Sequence, residues 1–197
     1  VLPTEENLSA LCTIAERIRS RYGIRLPIVS GGNSSSLYLV YQDRMPRGIN
    51  NLRIGEAILL GHETGFRKKL PHLFDDAFII CGEIVEKKTK PSSPVGRIAS
   101  DAFGEVPRFE NRGRRIRAIV AIGRQDIDYR DMIPLEEGIE IVGASSDHLV
   151  LDVTDCRDKL TVGAEVRFKL GYGCLLRCMT SAYVKKDIKN GERTAAL

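Results

Sequence analysis

The chain has 197 residues, of which 43% are hydrophobic and 28% charged, values that suit a globular protein and exclude a disordered one. Its 30 basic and 26 acidic side chains give a net charge of +4, too small a surplus to indicate nucleic-acid binding unless it is concentrated in one place. No apolar run reaches the roughly 18 residues of a membrane span, and no signal-peptide pattern opens the sequence, so we expect a cytoplasmic protein without a membrane segment.

The first part of the chain, residues 1–75, begins with a predicted helix. Thr4 is a typical N-cap, and the acidic Glu5 and Glu6 suit the positive end of the helix dipole. Apolar residues then recur at helical spacing, and Gly23 predicts the end of the helix.

Two alternations of strand and helix follow. The apolar stretch Leu26–Val29 predicts a strand, which a polar loop at residues 30–36 connects to a helix starting at Leu37. Leu52–Gly55 predicts a second strand, again followed by an apolar stretch. Such alternation is typical of a parallel sheet or barrel.

The remaining residues, 76–197, have the pattern of a β domain. Short apolar stretches separated by glycine and aspartate turns predict the strands of a barrel or sandwich. These stretches are Phe78–Val85, Arg115–Ile122, Glu140–Val142, Leu149–Val153 and Glu165–Phe168. The first strand is expected to end in a basic turn, and the polar tail is expected to fray.

The number of βα units raises a question of completeness. Two such units cannot close a barrel that needs eight, so a barrel-like first region implies that most of the barrel is missing. The sequence also starts without a methionine. We therefore expect a fragment.

The cysteines indicate reduced thiols. They are scattered, odd in number and without a CxxC pair: Cys12, Cys81, Cys156, Cys174 and Cys178. This pattern favours neither a disulfide framework nor a zinc site, and we expect no bound metal.

The loop Ser30–Ser36 is the strongest local signal for a ligand site. Two glycines let backbone amides approach a ligand, Asn33 and the serines add donors, and a helix begins just beyond, a combination that can bind phosphate. The alternative is a plain polar connection between strand and helix.

The end of the next strand adds a second group of candidates. In (β/α)8 barrels the loops after the last two strands commonly build a phosphate site, and here Gly55 could offer its amide to the same phosphate. Arg53 would place a permanent cation in that site. The alternative for Arg53 is a surface ion pair with Glu56 or Glu63.

These residues also carry a family resemblance. Asn33-Ser34 followed downstream by Arg53-x-Gly55 resembles the phosphate and pyridine-nitrogen motifs of alanine-racemase-like enzymes, which are pyridoxal-phosphate (PLP) proteins of fold type III. The match is closer to the ornithine-racemase-like branch. Stretches similar to that branch occur in family order at 1–8, 27–35, 51–57, 143–148 and 179–181.

The resemblance implies an architecture and an activity. The fold class would be α/β plus β, with the C-terminal part of a (β/α)8 barrel in residues 1–75, followed by a mostly antiparallel β-barrel-like domain in 76–197. The intact protein would be a PLP-dependent amino-acid racemase, with ornithine or another cationic amino acid as substrate. It would form a homodimer in which each β domain completes the partner's site.

The resemblance also implies roles for individual residues. Ser34 and the amides around Gly55 and Glu56 would bind the cofactor phosphate, and Asn33 would support that loop. Arg53 would face the pyridine nitrogen. An arginine there keeps the nitrogen from being fully protonated, which weakens the electron sink and favours racemisation over decarboxylation.

Two departures from the family pattern affect the acid–base groups. None of the lysines stands in the family's Schiff-base motif, which lies in the missing N-terminal half, so this chain alone is expected to be inactive. Arg124 stands where alanine racemases have a tyrosine base, and arginine is a poor base because it stays protonated. The nearby titratable alternatives are Asp126, Tyr129, Asp147 and His148. We take Asp126, Asp147 and His148 as the candidates for a second base, and His148 has a reference pKa near neutrality. The alternative for His148 beside Asp147 is a structural pair.

Three other functions remain open at this point. The first is another fold type III enzyme, a decarboxylase or aldolase, and the second is a non-catalytic β domain for assembly or ligand binding. The third is nucleic-acid binding through a basic cluster, Arg108, Arg112, Arg114, Arg115 and Arg117. Only Phe109 accompanies that cluster as a stacking group, whereas single-strand binders usually supply several, so we expect no nucleic-acid partner.

Overall fold

The computed structural model describes residues 2–100, 103–104, 106, 109–157 and 160–189. The chain divides into two compact units, Val1–Phe78 and Ile79–Leu197. The predicted frayed tail, from residue 190 onward, lies outside the described residues.

The first unit opens with the predicted helix. Helix α1 spans Glu5–Tyr22, and the Thr4 hydroxyl accepts a hydrogen bond from the amide of Asn7 (3.2 Å). Gly23 ends it with a φ of 65°, a left-handed conformation that costs glycine little, and its amide donates to the Arg19 carbonyl (3.0 Å). Both predicted caps are confirmed.

A parallel βαβ arrangement follows in the first unit. Strand β1 (Ser30–Asn33) pairs in parallel with β2 (Asn51–Arg53), and helix α2 (Leu37–Tyr41) lies between them in sequence. Helix α3 (Glu56–Leu60) follows β2. A small apolar cluster of Leu37, Ala57 and Leu70 packs these helices together.

The position of β1 corrects the prediction. The strand does not occupy Leu26–Val29 but the Gly/Ser stretch that follows, and residues 34–36 form a 3₁₀ turn. Close packing explains why a glycine stands inside this strand, since a Cβ at Gly31 would lie 2.6 Å from Ile49 Cγ2. Only glycine fits there, although glycine has a low strand propensity.

The second unit, here called the β domain, is built on one six-stranded sheet. Its strands are β3 (Ile79–Pro91), β4 (Arg114–Val120), β5 (Met132–Pro134), β6 (Glu140–Ala144), β7 (Leu149–Asp152) and β8 (Glu165–Leu170). Their order across the sheet is β5-β8-β3-β4-β7-β6, and every neighbouring pair is antiparallel.

Strand β3 is longer than predicted. It continues through the lysine-rich stretch that was expected to turn, because residues up to Pro91 pair with β4. Its first half, up to Glu83, pairs instead with β8. The register shifts between Ile84 and Glu86, where the strand changes partner.

The core of the β domain lies on one face of this sheet. Exposed and buried residues alternate along β3, as the two-residue period of a strand requires. Ile84, Val120, Leu149, Val166 and Phe168 are completely buried, and each such side chain contributes about 1.5–3 kcal/mol.

Helix α4 (Tyr172–Thr180) packs its cysteines 174 and 178 against that core. Within the described residues, none of the helices is both long enough and apolar enough to cross a membrane.

Candidate functional site

The parallel pairing of β1 and β2 brings two sets of predicted residues to one edge of the first unit. Asn33, the last residue of β1, is the register partner of Arg53, the last residue of β2. The segments that follow β1 and β2 therefore begin side by side. Ser34 follows directly on one side, and Gly55 and Glu56 follow on the other.

A hydrogen bond joins the two connections. The Gly55 amide donates to Ser34 Oγ (3.3 Å), and Ser34 is only 4% exposed. No described residue accepts the proton of the Ser34 hydroxyl, which leaves it available to an anion. Two of the residues predicted to bind phosphate are thus in direct contact.

Asn33, Ser35 and Ser36 form hydrogen bonds within the protein itself. Asn33 Oδ1 accepts from the amide of Ser35 (3.0 Å) and from its hydroxyl (2.7 Å), and Ser36 Oγ donates to the Gly31 carbonyl (2.6 Å). Asn33 therefore shapes the turn, and among the three serines of the 3₁₀ turn as described, Ser34 is the one whose proton is left for a ligand.

The space around Gly55 suits a bound anion. A Cβ there would meet nothing within 4 Å, and no described side chain caps the start of α3 behind it. At the other end of β1 from Asn33, Ser30 Oγ is buried and has no hydrogen-bond partner among the described residues. The donor chemistry and the open space fit a phosphate group.

Arg53 and Glu56 do not pair with each other. The Arg53 side chain is exposed, while Glu56 accepts from the Thr64 hydroxyl (2.8 Å). Glu63, the other partner considered for Arg53, is buried and accepts from the amides of Gly65 (2.8 Å) and Phe66 (2.7 Å). Sequence reasoning missed Thr64, because its contact with Glu56 depends on how the loop after α3 folds back.

In the β domain, the segment with Arg124 lies against the β6–β7 turn that carries Asp147 and His148. The amide of Arg124 donates to the Ser145 carbonyl (2.8 Å), and that of Gln125 to the Ser146 carbonyl (3.1 Å). The predicted second-base candidates are therefore neighbours within the β domain.

The three candidates differ in their surroundings. Asp126 is 6% exposed, and its Oδ1 accepts from the Ser181 hydroxyl (2.5 Å). Asp147 is exposed and accepts from the Ser146 hydroxyl (2.5 Å). His148 is also exposed, with its backbone amide bound to Ser145 Oγ (3.1 Å).

Two further features border this region. The Arg124 guanidinium lies over the Phe103 ring, 3.5 Å from its centroid. An open cavity of about 240 Å³ lies beside Asp126 and is also lined by Arg177, Ser181 and Tyr183. Sequence reasoning included Ser181 in a family-like stretch but assigned it no role.

The basic cluster is part of an ion-pair network in the β domain. Asp152 is 1% exposed and binds Arg115 Nε (2.9 Å) and Arg117 Nη1 (2.9 Å). Arg112 pairs with Glu140 (2.5 Å). Arg114 is exposed and donates to the Thr89 carbonyl (3.3 Å), and Arg108 lies outside the described residues. These pairings occupy cations that a nucleic-acid surface would need free.

Burial alone would raise the pKa of Asp152, but the hydrogen bonds from Arg115 and Thr154 outweigh it and lower the pKa to about 2. The carboxylate is therefore charged throughout the physiological range, and the network stays intact there.

Sequence comparison finds two informative relatives. Ornithine racemase of Acetoanaerobium sticklandii is 48% identical, in an alignment that covers 95% of this chain and 53% of that protein. Lysine racemase of Thermotoga maritima is 46% identical, in an alignment that covers 94% of this chain and 52% of that protein. The chain thus spans about half the length of the curated relatives it matches. No family model matches it.

Comparison with solved structures gives a consistent fold. D-threonine aldolase from Filomicrobium marinum aligns with a TM-score of 0.53 and 15% identity, covering 85% of this chain and 40% of that one. Alanine racemase from Acinetobacter baumannii aligns with a TM-score of 0.51 and 19% identity, covering 88% and 46%. At these identities the likeness concerns the fold, and it confirms the α/β-plus-β class with an antiparallel barrel-like domain.

The resemblance identified from sequence motifs is thereby confirmed. Along almost its whole length, the chain is similar in sequence to about half of an ornithine racemase and about half of a lysine racemase.

Proposed function

We propose that this chain supplies the phosphate-binding loop and the β domain of a PLP-dependent racemase for ornithine or a similar amino acid. Its first unit would form the last two βα units of a (β/α)8 barrel. The part of the relatives that this chain does not match would supply the remaining strands and the Schiff-base lysine. The whole protein would act as a cytoplasmic homodimer.

The contact between Ser34 and Gly55 carries this proposal. A buried hydroxyl that accepts from one amide and keeps its own proton is suited to donate to a phosphate oxygen. The Glu56 amide, at the start of α3, would add a donor from the second connection, while the Gly55 amide holds Ser34 in place. Asn33 holds the first connection in the shape that this requires.

In this proposal the cofactor and the residues of the chain have different chemical roles. When bound, PLP supplies the electron sink that makes the α-proton of an amino acid removable. Arg53 remains protonated at any working pH, so it would donate to the pyridine nitrogen rather than protonate it. This limits the withdrawal of electrons and favours simple return of the proton to the α-carbon.

The β domain would supply the second proton-transfer group. Such a group must come within hydrogen-bond reach of the proton that it moves. Asp147 and His148 are exposed in the β6–β7 turn and can meet a substrate, whereas Asp126 is buried against Ser181. We therefore favour the turn residues for this role.

The test measures PLP affinity in the whole protein with Ser34→Ala, using Ser35→Ala as the matched control. Loss of one charge-assisted hydrogen bond is expected to weaken binding about ten- to hundredfold. The Ser35 hydroxyl is directed to Asn33, so its loss should have a much smaller effect. Unchanged affinity in Ser34→Ala would contradict the assignment. Product analysis from L-ornithine then distinguishes racemisation, which gives D-ornithine, from decarboxylation, which gives a diamine and carbon dioxide, and a β-hydroxy amino acid as substrate tests for aldol cleavage.

A further inference from the structure

We infer that Arg177 and Ser181, on and just after helix α4, are positioning residues for the segment 123–127, which lies against the proposed proton-transfer turn. The inference rests on the proposed function and extends it to residues with no role so far. It also gives Asp126 a structural role in place of a catalytic one.

Two hydrogen bonds connect the C-terminal end of α4 to this segment. Arg177 Nη1 donates to the Arg124 carbonyl (2.9 Å), and Ser181 Oγ donates to Asp126 Oδ1 (2.5 Å). The first bond holds the backbone at Arg124, and the second holds the side chain of Asp126. The segment is therefore held at two points from the helix.

The opposite side of the segment is fixed by the β6–β7 turn. A Cβ at Gly123 would lie 2.2 Å from the Ser146 carbonyl oxygen, so the two backbones are in close contact. The amides of Arg124 and Gln125 donate to that turn. Any displacement at Arg124 must therefore be transmitted toward Asp147.

Helix α4 is itself anchored at its other end. Asp131 Oδ2 accepts from the Gly173 amide (2.9 Å), in the first turn of the helix. Cys174 and Cys178 are buried in the core of the β domain. The helix can thus act as a rigid support for the segment 123–127.

The environment of Asp126 fits an acceptor that fixes geometry. The carboxylate is 6% exposed and makes a short hydrogen bond with Ser181, whose amide in turn donates to the Arg177 carbonyl (2.9 Å). A group that transfers protons to substrate needs access that this burial restricts. Asp126 therefore secures the segment against α4.

The first test is hydrogen–deuterium exchange on the 197-residue chain, which needs neither cofactor nor activity. The amides of residues 124–127 are all hydrogen-bonded within the segment or to the β6–β7 turn. Their exchange rates therefore measure how firmly the segment 123–127 is held. Ser181→Ala should speed this exchange about ten- to hundredfold, as expected for loss of a bond to a carboxylate. Ser181→Thr should restore protection, and Arg177→Met should also loosen the segment.

Thr180→Ala is the matched control. The Thr180 hydroxyl lies beside the same cavity but donates only within α4, to the carbonyls of Leu176 (2.9 Å) and Arg177 (3.2 Å). It should leave the segment protected. Unchanged exchange in both Ser181→Ala and Arg177→Met overturns the inference.

The second test measures racemisation by the whole protein. Ser181→Ala should lower kcat at least tenfold with little change in KM or PLP affinity, and Ser181→Thr should recover it. Faster exchange without loss of kcat overturns the positioning role. If the wild-type protein does not racemise amino acids, the proposed function is refuted. The exchange experiment still shows whether Arg177 and Ser181 hold the segment 123–127.

Discussion

Replacement of Asp152 by alanine would test whether the arginine network supports the β domain. Asp152 is 1% exposed and accepts from Arg115, Arg117 and Thr154. Without it, Arg115 keeps its pair with Asp155, but the 9%-exposed side chain of Arg117 keeps, among the residues that the structure describes, only a 3.5 Å contact with the Ser92 carbonyl. The variant therefore leaves a buried cation without a carboxylate.

The expected cost follows from that imbalance. Removing one partner of a buried ion pair typically costs about 3–5 kcal/mol. A domain is usually stable by only about 5–15 kcal/mol, so the loss should be a large fraction of the total. Urea unfolding followed by far-ultraviolet circular dichroism measures it.

Asp155→Ala provides the control for Asp152→Ala. Asp155 binds the same Arg115 at 2.5 Å, but its side chain is 69% exposed. Exposed pairs contribute at most about 1 kcal/mol. Equal losses in the two variants, or a loss below about 1 kcal/mol for Asp152→Ala, would refute the reasoning.

Three further outcomes are expected. Because the pKa of Asp152 is lowered to about 2, its contribution to stability is complete above about pH 5 and is lost as the pH falls toward 2, so unfolding curves of wild type and Asp152→Asn should converge there. Gly123→Ala would force a Cβ into the Ser146 carbonyl and should lower the melting temperature by several degrees, whereas Gly143→Ala, in open space, should have little effect; similar melting temperatures would contradict this. In the whole protein, Arg53→Glu should protonate the pyridine nitrogen more fully and add side products to racemisation, and chiral chromatography showing unaltered racemisation would contradict the assigned role.

Where local chemistry determines structure, the sequence predicted it well. Thr4 and Gly23 delimit α1 because capping involves residues within a few positions of the helix end. The alternating apolar residues at the start of β8 likewise follow from the two-residue period of a half-buried sheet. The βα alternation of the first unit was also predicted, because the apolar stretches and the polar loop between them are local.

Structure that depends on distant residues was missed. Helix α4 was not predicted, because the side chain that binds its first-turn amides is Asp131, some forty positions earlier. Strand β1 was placed too early, because the contact that selects Gly31 comes from Ile49. The hydrogen bond between Ser181 and Asp126 was missed for the same reason, because the two residues are 55 positions apart in the sequence.

The two-partner pairing of β3 has a consequence for how the β domain is made. Strands β3 and β8 are the first and last strands of the sheet in sequence, yet they lie side by side. Closing such a long loop costs entropy before the contacts that offset it can form, and folds dominated by such pairings fold slowly. During synthesis, β3 must remain only half paired until β8 has left the ribosome, so the domain completes its fold only after nearly all of it has been translated.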